Sequence, residues 1–264
     1  IYIDYLNINY KIMQDIYVDD FGKGFPLVLV HGFLGSSDMW KLQIEHFKND
    51  FRVIAPALPG FGKSNYVNSC ESITCMAKSI LESLKKLEIK RFHLLGHSMG
   101  GMIVQEISRL AEDRIDKLIC YGTGPRGNIP GRFETIDQSR EKLKINGLKD
   151  TAYRIAKTWF IEEEKAKYFY LCEEAGKQTS LEAADNGLVA MKNWDGVKNL
   201  KNIKSETLII WGDQDKAYNF NQVETLKENI RNSDLRIVDG CSHNVHLEKP
   251  DEFNIIVSEF LKKN

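Results

Sequence analysis

Long hydrophobic runs, C-x-x-C motifs and an excess of charge of one sign are all missing from this chain of 264 residues. No apolar run approaches the ~20 residues needed to cross a bilayer, so no membrane role is expected. With 36 basic against 37 acidic residues the formal net charge is −1, which gives no electrostatic footprint for nucleic acid or an anionic membrane. The five cysteines, Cys70, Cys75, Cys120, Cys172 and Cys241, are odd in number and show no C-x-x-C pair. Reduced thiols are therefore expected, with neither a zinc site nor a disulfide framework. The first residues lack a secretory pattern, and repeats and low-complexity tracts are absent. A cytoplasmic protein is expected, acting on a small molecule without metal or organic cofactor.

What is present is an alternation of strand-like and helix-like stretches. Residues 2–10 and 16–20 alternate loosely, as an edge strand with one wet face does. Residues 26–30 (Pro-Leu-Val-Leu-Val) form a continuous apolar run of strand length, which suits a strand buried on both faces. Similar short runs follow at 51–55, 91–95, 117–121, 206–211 and 235–238. Between them, residues 73–87 repeat Ile73, Met76, Ala77, Ile80, Leu84 and Leu87 at the helical period. Ser37 or Asp38 is placed to cap a helix running to residue 47. Pro250 with Asp251 and Glu252 starts a last helix. Strands alternating with amphipathic helices predict a mostly parallel, doubly wound sheet covered on both faces.

The alternation stops between residues 122 and 200. Helix-like stretches appear there near 133–145, 148–160, 162–174 and 181–194, with Gly147, Gly176 and Gly187 as breaks or caps. The expected organisation is a core of residues 1–121 and 201–264 with a helical cap inserted at 122–200.

Catalytic chemistry points to Gly96-His97-Ser98-Met99-Gly100. A serine at the tip of a sharp strand-to-helix turn needs glycine two residues before and two after, because those positions crowd each other. Three fixed positions arise by chance in roughly one chain of this length in ten, so partners decide the matter. A serine hydroxyl is a poor nucleophile at neutral pH and needs a base, best a histidine oriented by a carboxylate. Gly212-Asp213-Gln214-Asp215 follows one strand and Gly240-Cys241-Ser242-His243 follows the next. Asp213 rivals Asp215 as the acid, and His246 rivals His243 as the base.

With these motifs the chain resembles the α/β-hydrolase superfamily, in its small cap-bearing esterase, lactonase and C–C hydrolase form. His31-Gly32-Phe33 resembles the oxyanion loop. Residues 58–64 (Leu-Pro-Gly-Phe-Gly-Lys-Ser) resemble its P-G-F/H-G-x-S loop, and 243–250 (His-Asn-Val-His-Leu-Glu-Lys-Pro) its catalytic-histidine segment. The resemblance implies Ser98 as nucleophile, His243 as base and Asp215 as acid, with the backbone N–H groups of Phe33 and Met99 as the oxyanion hole. Two positions depart from the pattern: Ala57 where the family usually has Asp, and Ser242 where it usually has Gly. The implied activity is hydrolysis of a small carboxylic ester or related acyl substrate. A C–C bond hydrolase, lactonase, thioesterase or lyase on the same triad is the alternative, as is a ligand receptor that retains the triad.

Other chemistry-bearing residues read as structural. His31 and His97 are expected to pack, and Cys241 to be a semi-buried thiol. Arg126 and Arg132 read as solvated hinge charges. Phe160, Tyr168 and Tyr170 belong to the cap core. Leu34, Trp159, Trp194 and Val245 are the expected pocket residues.

Overall fold

The computed structural model describes residues 14–263. Among them, seven strands form one sheet: β1 (Val18–Phe21), β2 (Pro26–Val30), β3 (Arg52–Pro56), β4 (Phe92–His97), β5 (Ile115–Tyr121), β6 (Glu206–Gly212) and β7 (Ser233–Val238). Their spatial order is β1-β3-β2-β4-β5-β6-β7. β1 pairs antiparallel with β3, and every other pairing is parallel. The strand expected at residues 2–10 lies outside the described residues.

The helices are α1 (Lys41–Phe47), α2 (Ile73–Lys86), α3 (Met99–Ala111), α4 (Ile136–Lys157), α5 (Phe169–Gln178), α6 (Leu181–Asn193), α7 (Val197–Leu200), α8 (Phe220–Asn229), α9 (Val245–Glu248) and α10 (Pro250–Lys262). The strands show why they read as unbroken apolar runs. In β2, Leu27 and Leu29 join one core layer while Val28 and Val30 join the other, and all four are fully buried. Successive side chains point to opposite faces of a strand, so a sheet covered on both faces needs apolar residues at every position. One layer is closed by α2, α3 and α8, through residues such as Ile80, Ile103 and Val223. The other is closed by α1 and α10, through Phe47, Phe253 and Val257.

Local signals set most boundaries correctly. Ser72 caps α2 by accepting from the Cys75 N–H at 3.2 Å, and Pro250 stands in the first turn of α10. The first expected cap is a correction. Residues 37–40 form a 3-10 turn before α1, with no side-chain cap. Ser37 instead donates to buried Asp19 at 2.6 Å, and Asp38 pairs with Lys63 at 2.8 Å. Both side chains are thus turned toward partners on other segments.

Between β5 and β6 the described residues hold helices and one isolated bridge, Arg126 with Asp195. The chain takes a sharp kink at Gly147, which has φ 77° inside α4, so two helices meet there as the sequence suggested. Gly176 and Gly187 are corrections. Both lie inside helices, α5 and α6, and neither ends one. A Cβ on Gly187 would come within 3.1 Å of the Phe33 ring, so this glycine lets α6 lie close over the loop of residues 31–33. The helix expected at 162–174 begins only at Phe169, after a short turn at Glu163–Lys165.

The cysteine expectation also needs correcting. Cys70 and Cys75 are joined in a disulfide, while Cys120, Cys172 and Cys241 are free and buried. Cys70 lies just before α2 and Cys75 in its first turn, so the winding of the chain brings their Cα atoms to 5.7 Å. A spacing of five residues matches no metal or redox motif, and only the turn reveals the pair.

Candidate active site

Ser98 joins β4 to α3 with φ 57° and ψ −119°. A non-glycine residue held there costs on the order of 1–3 kcal/mol, which the surrounding structure must over-determine. Its N–H donates to Tyr121 at 2.9 Å. Its carbonyl accepts from Gly101 at 2.8 Å and from the Thr123 hydroxyl at 2.8 Å. A Cβ on Gly96 would fall 2.2 Å from the Gly100 carbonyl oxygen, and one on Gly100 would fall 2.3 Å from that of Val30. Glycine at both positions is therefore required by backbone contact.

The loop after β6 turns Asp215 toward the loop after β7. His243 Nδ1 meets Asp215 Oδ2 at 2.8 Å, and both side chains are sealed from solvent. The other oxygen, Oδ1, accepts from the N–H groups of Ala217 at 2.7 Å and Tyr218 at 3.1 Å. With three acceptor contacts the carboxylate has a fixed orientation, and Nδ1 carries the proton because a carboxylate can only accept. That leaves Nε2 as the basic nitrogen. Asp213, the rival acid, faces elsewhere: it is held by Gln214 and by the Cys241 N–H at 3.2 Å. The Gln214 amide holds its carboxyl below the usual carboxylate range, countered in part by burial.

The rival histidines are packed into the core. His246 Nδ1 meets the Tyr121 hydroxyl at 3.0 Å, and burial pushes the group down to about 3. His97 stacks on Tyr121 with ring centroids 4.5 Å apart, and burial holds it well below the usual histidine value. His31 Nε2 accepts from the Leu58 N–H at 3.0 Å, so its proton sits on Nδ1 and is donated to the Gly32 carbonyl at 2.8 Å. Burial lowers it to about 4. It is a neutral bracket for the 31–33 loop, which runs so close to the elbow that a Cβ on Gly32 would touch that of Ser98 at 3.0 Å.

Ser98 and His243 face a cavity of about 10 Å³, lined also by Gly32, Phe33, Met39, His97 and Trp159. That is space for roughly one water. Of the expected pocket residues, Trp159 lines it. Leu34 is buried in the core, Val245 joins the α10 side of the sheet, and Trp194 packs at the end of α6. Val245 misses the cavity because, as the first residue of α9, it is fully buried in the core layer that α10 closes. A wider hollow of about 780 Å³ lies behind the His243 loop, between residues 161–168 and 247–254, and contains none of Ser98, Asp215 or His243.

Two features escaped the sequence reading. Tyr218 is buried, with its ring nearly parallel to that of His243 (14°, centroids 5.8 Å apart). Burial pushes the phenol up to about 12. The sole local signal was an aromatic residue three positions beyond the acid. The second feature is Glu248, which accepts from the N–H groups of Ile161 and Ser242, both at 2.7 Å. It ties the inserted helices to the His243 loop. The unusual Ser242 adds to this link, its hydroxyl lying 3.4 Å from the carbonyls of Thr158 and Gln214.

Arg126 is exposed and pairs with Asp195 at 3.1 Å, as a solvated hinge charge does. Arg132 corrects the expectation: it is half-buried, and burial pushes its guanidinium below its ordinary value. Among the described residues no group of three or more potential metal ligands gathers.

The comparisons with known proteins fit this geometry. A sequence model described as the alpha/beta hydrolase fold matches residues 26–250. A 2-hydroxy-6-oxononadienedioate/2-hydroxy-6-oxononatrienedioate hydrolase of Pseudomonas putida is 29% identical over 268 residues, spanning 94% of this chain and 92% of the relative. A pimeloyl-acyl-carrier-protein methyl ester esterase of Legionella pneumophila is 27% identical over 253 residues, 94% of this chain and 100% of the relative. Among solved structures, an esterase from Exiguobacterium antarcticum superposes with a TM-score of 0.87 at 24% identity, covering 94% of this chain and 96% of the other, a likeness of fold. With the match extending over most of its length, the chain belongs to the α/β-hydrolase fold family.

Proposed function

We propose that the protein is a serine hydrolase that cleaves a small carboxylic ester or related acyl substrate through an acyl-enzyme. The observation that carries this reading is His243, paired with buried Asp215 and sharing one cavity with Ser98 on its strained turn. His243 Nε2 takes the Ser98 proton as Oγ attacks the carbonyl carbon. The N–H groups of Phe33 and Met99 receive the oxyanion, a contribution of roughly 3–4 kcal/mol for each donor. The same histidine then protonates the leaving group. Water, activated by Nε2, attacks the acyl-enzyme and releases the acid. The inserted helices act as a cap over this site, with Trp159 as its contact to the cavity.

Ser98→Ala should lower kcat by about 10⁶, and a fluorophosphonate should label wild type at Ser98 alone. A variant that keeps a substantial share of wild-type turnover would sink the assignment. C–C bond cleavage is the second reading, favoured by the resemblance to a hydrolase of 2-hydroxy-6-oxo dienedioates. A panel of alkyl and aryl esters, lactones, thioesters and vinylogous β-diketones separates the two.

A further inference from the structure

The base is held at more points than its ring. Asp215 fixes the His243 imidazole, and Glu248 fixes the N–H of Ser242 just before it. The His243 backbone carbonyl has partners of its own. The Tyr121 hydroxyl donates to it at 2.9 Å, and His97 Nε2 lies 3.1 Å from the same oxygen. A carbonyl oxygen can only accept, so His97 carries its proton on Nε2 and donates it there. Burial keeps this ring neutral, which leaves Nδ1 bare. One donor already satisfies a buried carbonyl. The second, reaching it from a neighbouring strand, fixes the direction in which that carbonyl points.

Both donors are themselves fixed. Tyr121 gives its one hydrogen to His243, and its oxygen accepts from the His246 N–H at 3.1 Å and from His246 Nδ1 at 3.0 Å. The His97 ring lies 4.5 Å from the Tyr121 ring on one side and 4.5 Å from the His243 ring on the other. Gly122 permits this approach, since a Cβ there would come 3.3 Å from His97 Cδ2 and 3.3 Å from His243 Nδ1. His97 is the last residue of β4 and is bonded directly to Ser98. Its backbone therefore belongs to the elbow, while its side chain grips the main chain of the residue that must take the Ser98 proton.

We propose that His97 is a positioning residue for the base: its Nε2–H, together with the Tyr121 hydroxyl, clamps the His243 carbonyl and so sets the imidazole against Ser98 Oγ. This rests on the serine-hydrolase reading above and adds a residue to its machinery. His97 moves no proton itself. Its effect is geometric, and a misplacement of about 1 Å can cost on the order of 10²-fold in rate.

The test compares His97→Gln with His97→Met, on whichever ester the wild type turns over. The two side chains are of similar length, but only glutamine keeps a donor where Nε2 stands. His97→Met should lower kcat by about 10–100-fold with KM within about threefold of wild type, and His97→Gln should recover most of that loss. Rates are taken per folded molecule, with the urea midpoint measured alongside. A packing role would move the midpoint and leave that rate alone. Equal rates in the two variants, high or low, overturn the clamp. A second measurement needs no variant: nitrogen-15 NMR of the wild type should show His97 neutral with its proton on Nε2. A proton on Nδ1 overturns the proposal even if neither variant folds. Failure of a fluorophosphonate to label wild-type Ser98 would instead overturn the hydrolase reading, and the His97 tautomer would still judge the clamp.

Discussion

Asp215 uses its two oxygens for separate tasks, and this makes its replacement informative. Oδ1 is held by two backbone N–H groups, so in Asp215→Asn the amide oxygen would remain there and the NH2 would face His243. The imidazole would then be forced to carry its proton on Nε2, the nitrogen that must act as base. Turnover should fall by about 10⁴ through this tautomer change, with folding retained. Asp213 is held by Gln214 and the Cys241 N–H and makes no hydrogen bond to His243, so Asp213→Asn should change kcat by no more than a few-fold. Steady-state kinetics on any ester the wild type turns over makes the comparison, and the reverse ranking would move the acid. At this scale Ser98, Asp215 and His243 were legible because each sits in a loop whose flanking glycines and strand announce it. Between Asp213 and Asp215 the resemblance already favoured Asp215, and in the structure it is Asp215 that meets His243. Tyr218 and Arg132 were not legible, because their burial comes from segments far apart in the chain.

Secondary elements were read well wherever one face had to be apolar, as in α2 and α10, and poorly where contacts between helices set the limits. The inserted helices show the difference. Gly147 breaks α4 through its own backbone angle, a local property. Gly187 is present so that Phe33 can approach, which no window along the sequence reveals. The connection between insertion and core is likewise non-local. Glu248 on α9 accepts from Ile161 and Ser242, and the Asn244 N–H donates to the Trp159 carbonyl at 3.0 Å. Removing the carboxylate in Glu248→Ala leaves two N–H donors unmatched, which costs about 1–3 kcal/mol where they are shielded from water. Amide exchange at Ile161 and Ser242 should quicken while exchange in β4 and β5 stays slow. Uniform quickening across the sheet would show that Glu248 supports the whole fold and not this junction.

For the whole molecule, the buried histidines fix how stability responds to acid. Of six histidines, His31 and His93 are lowered to about 4 and His246 to about 3, chiefly by burial, and His97 lies well below the usual value. An unfolded chain binds these protons near pH ~6.5, so unfolding takes up protons throughout the interval down to about pH 4. Stability is therefore complete above the unfolded value and is lost as pH falls below it. The contribution of each group levels off once its folded value is passed. Between pH 7.5 and 5 each such histidine should remove about 2 kcal/mol, so several together consume much of the 5–15 kcal/mol typical of a domain. Urea titrations across this range should show the free energy of unfolding dropping steeply, by up to about 1.4 kcal/mol per pH unit for each histidine. The Tyr121 hydroxyl gives its one hydrogen to the His243 carbonyl, so replacing His246 with Gln, whose side-chain NH2 can still donate to the Tyr121 oxygen, should flatten the slope by one proton. A stability curve that stays level from pH 7.5 to 5 would mean that these rings are protonated in the folded state, in conflict with the sealed Trp40–His97–Tyr121–His246 cluster that holds two of them.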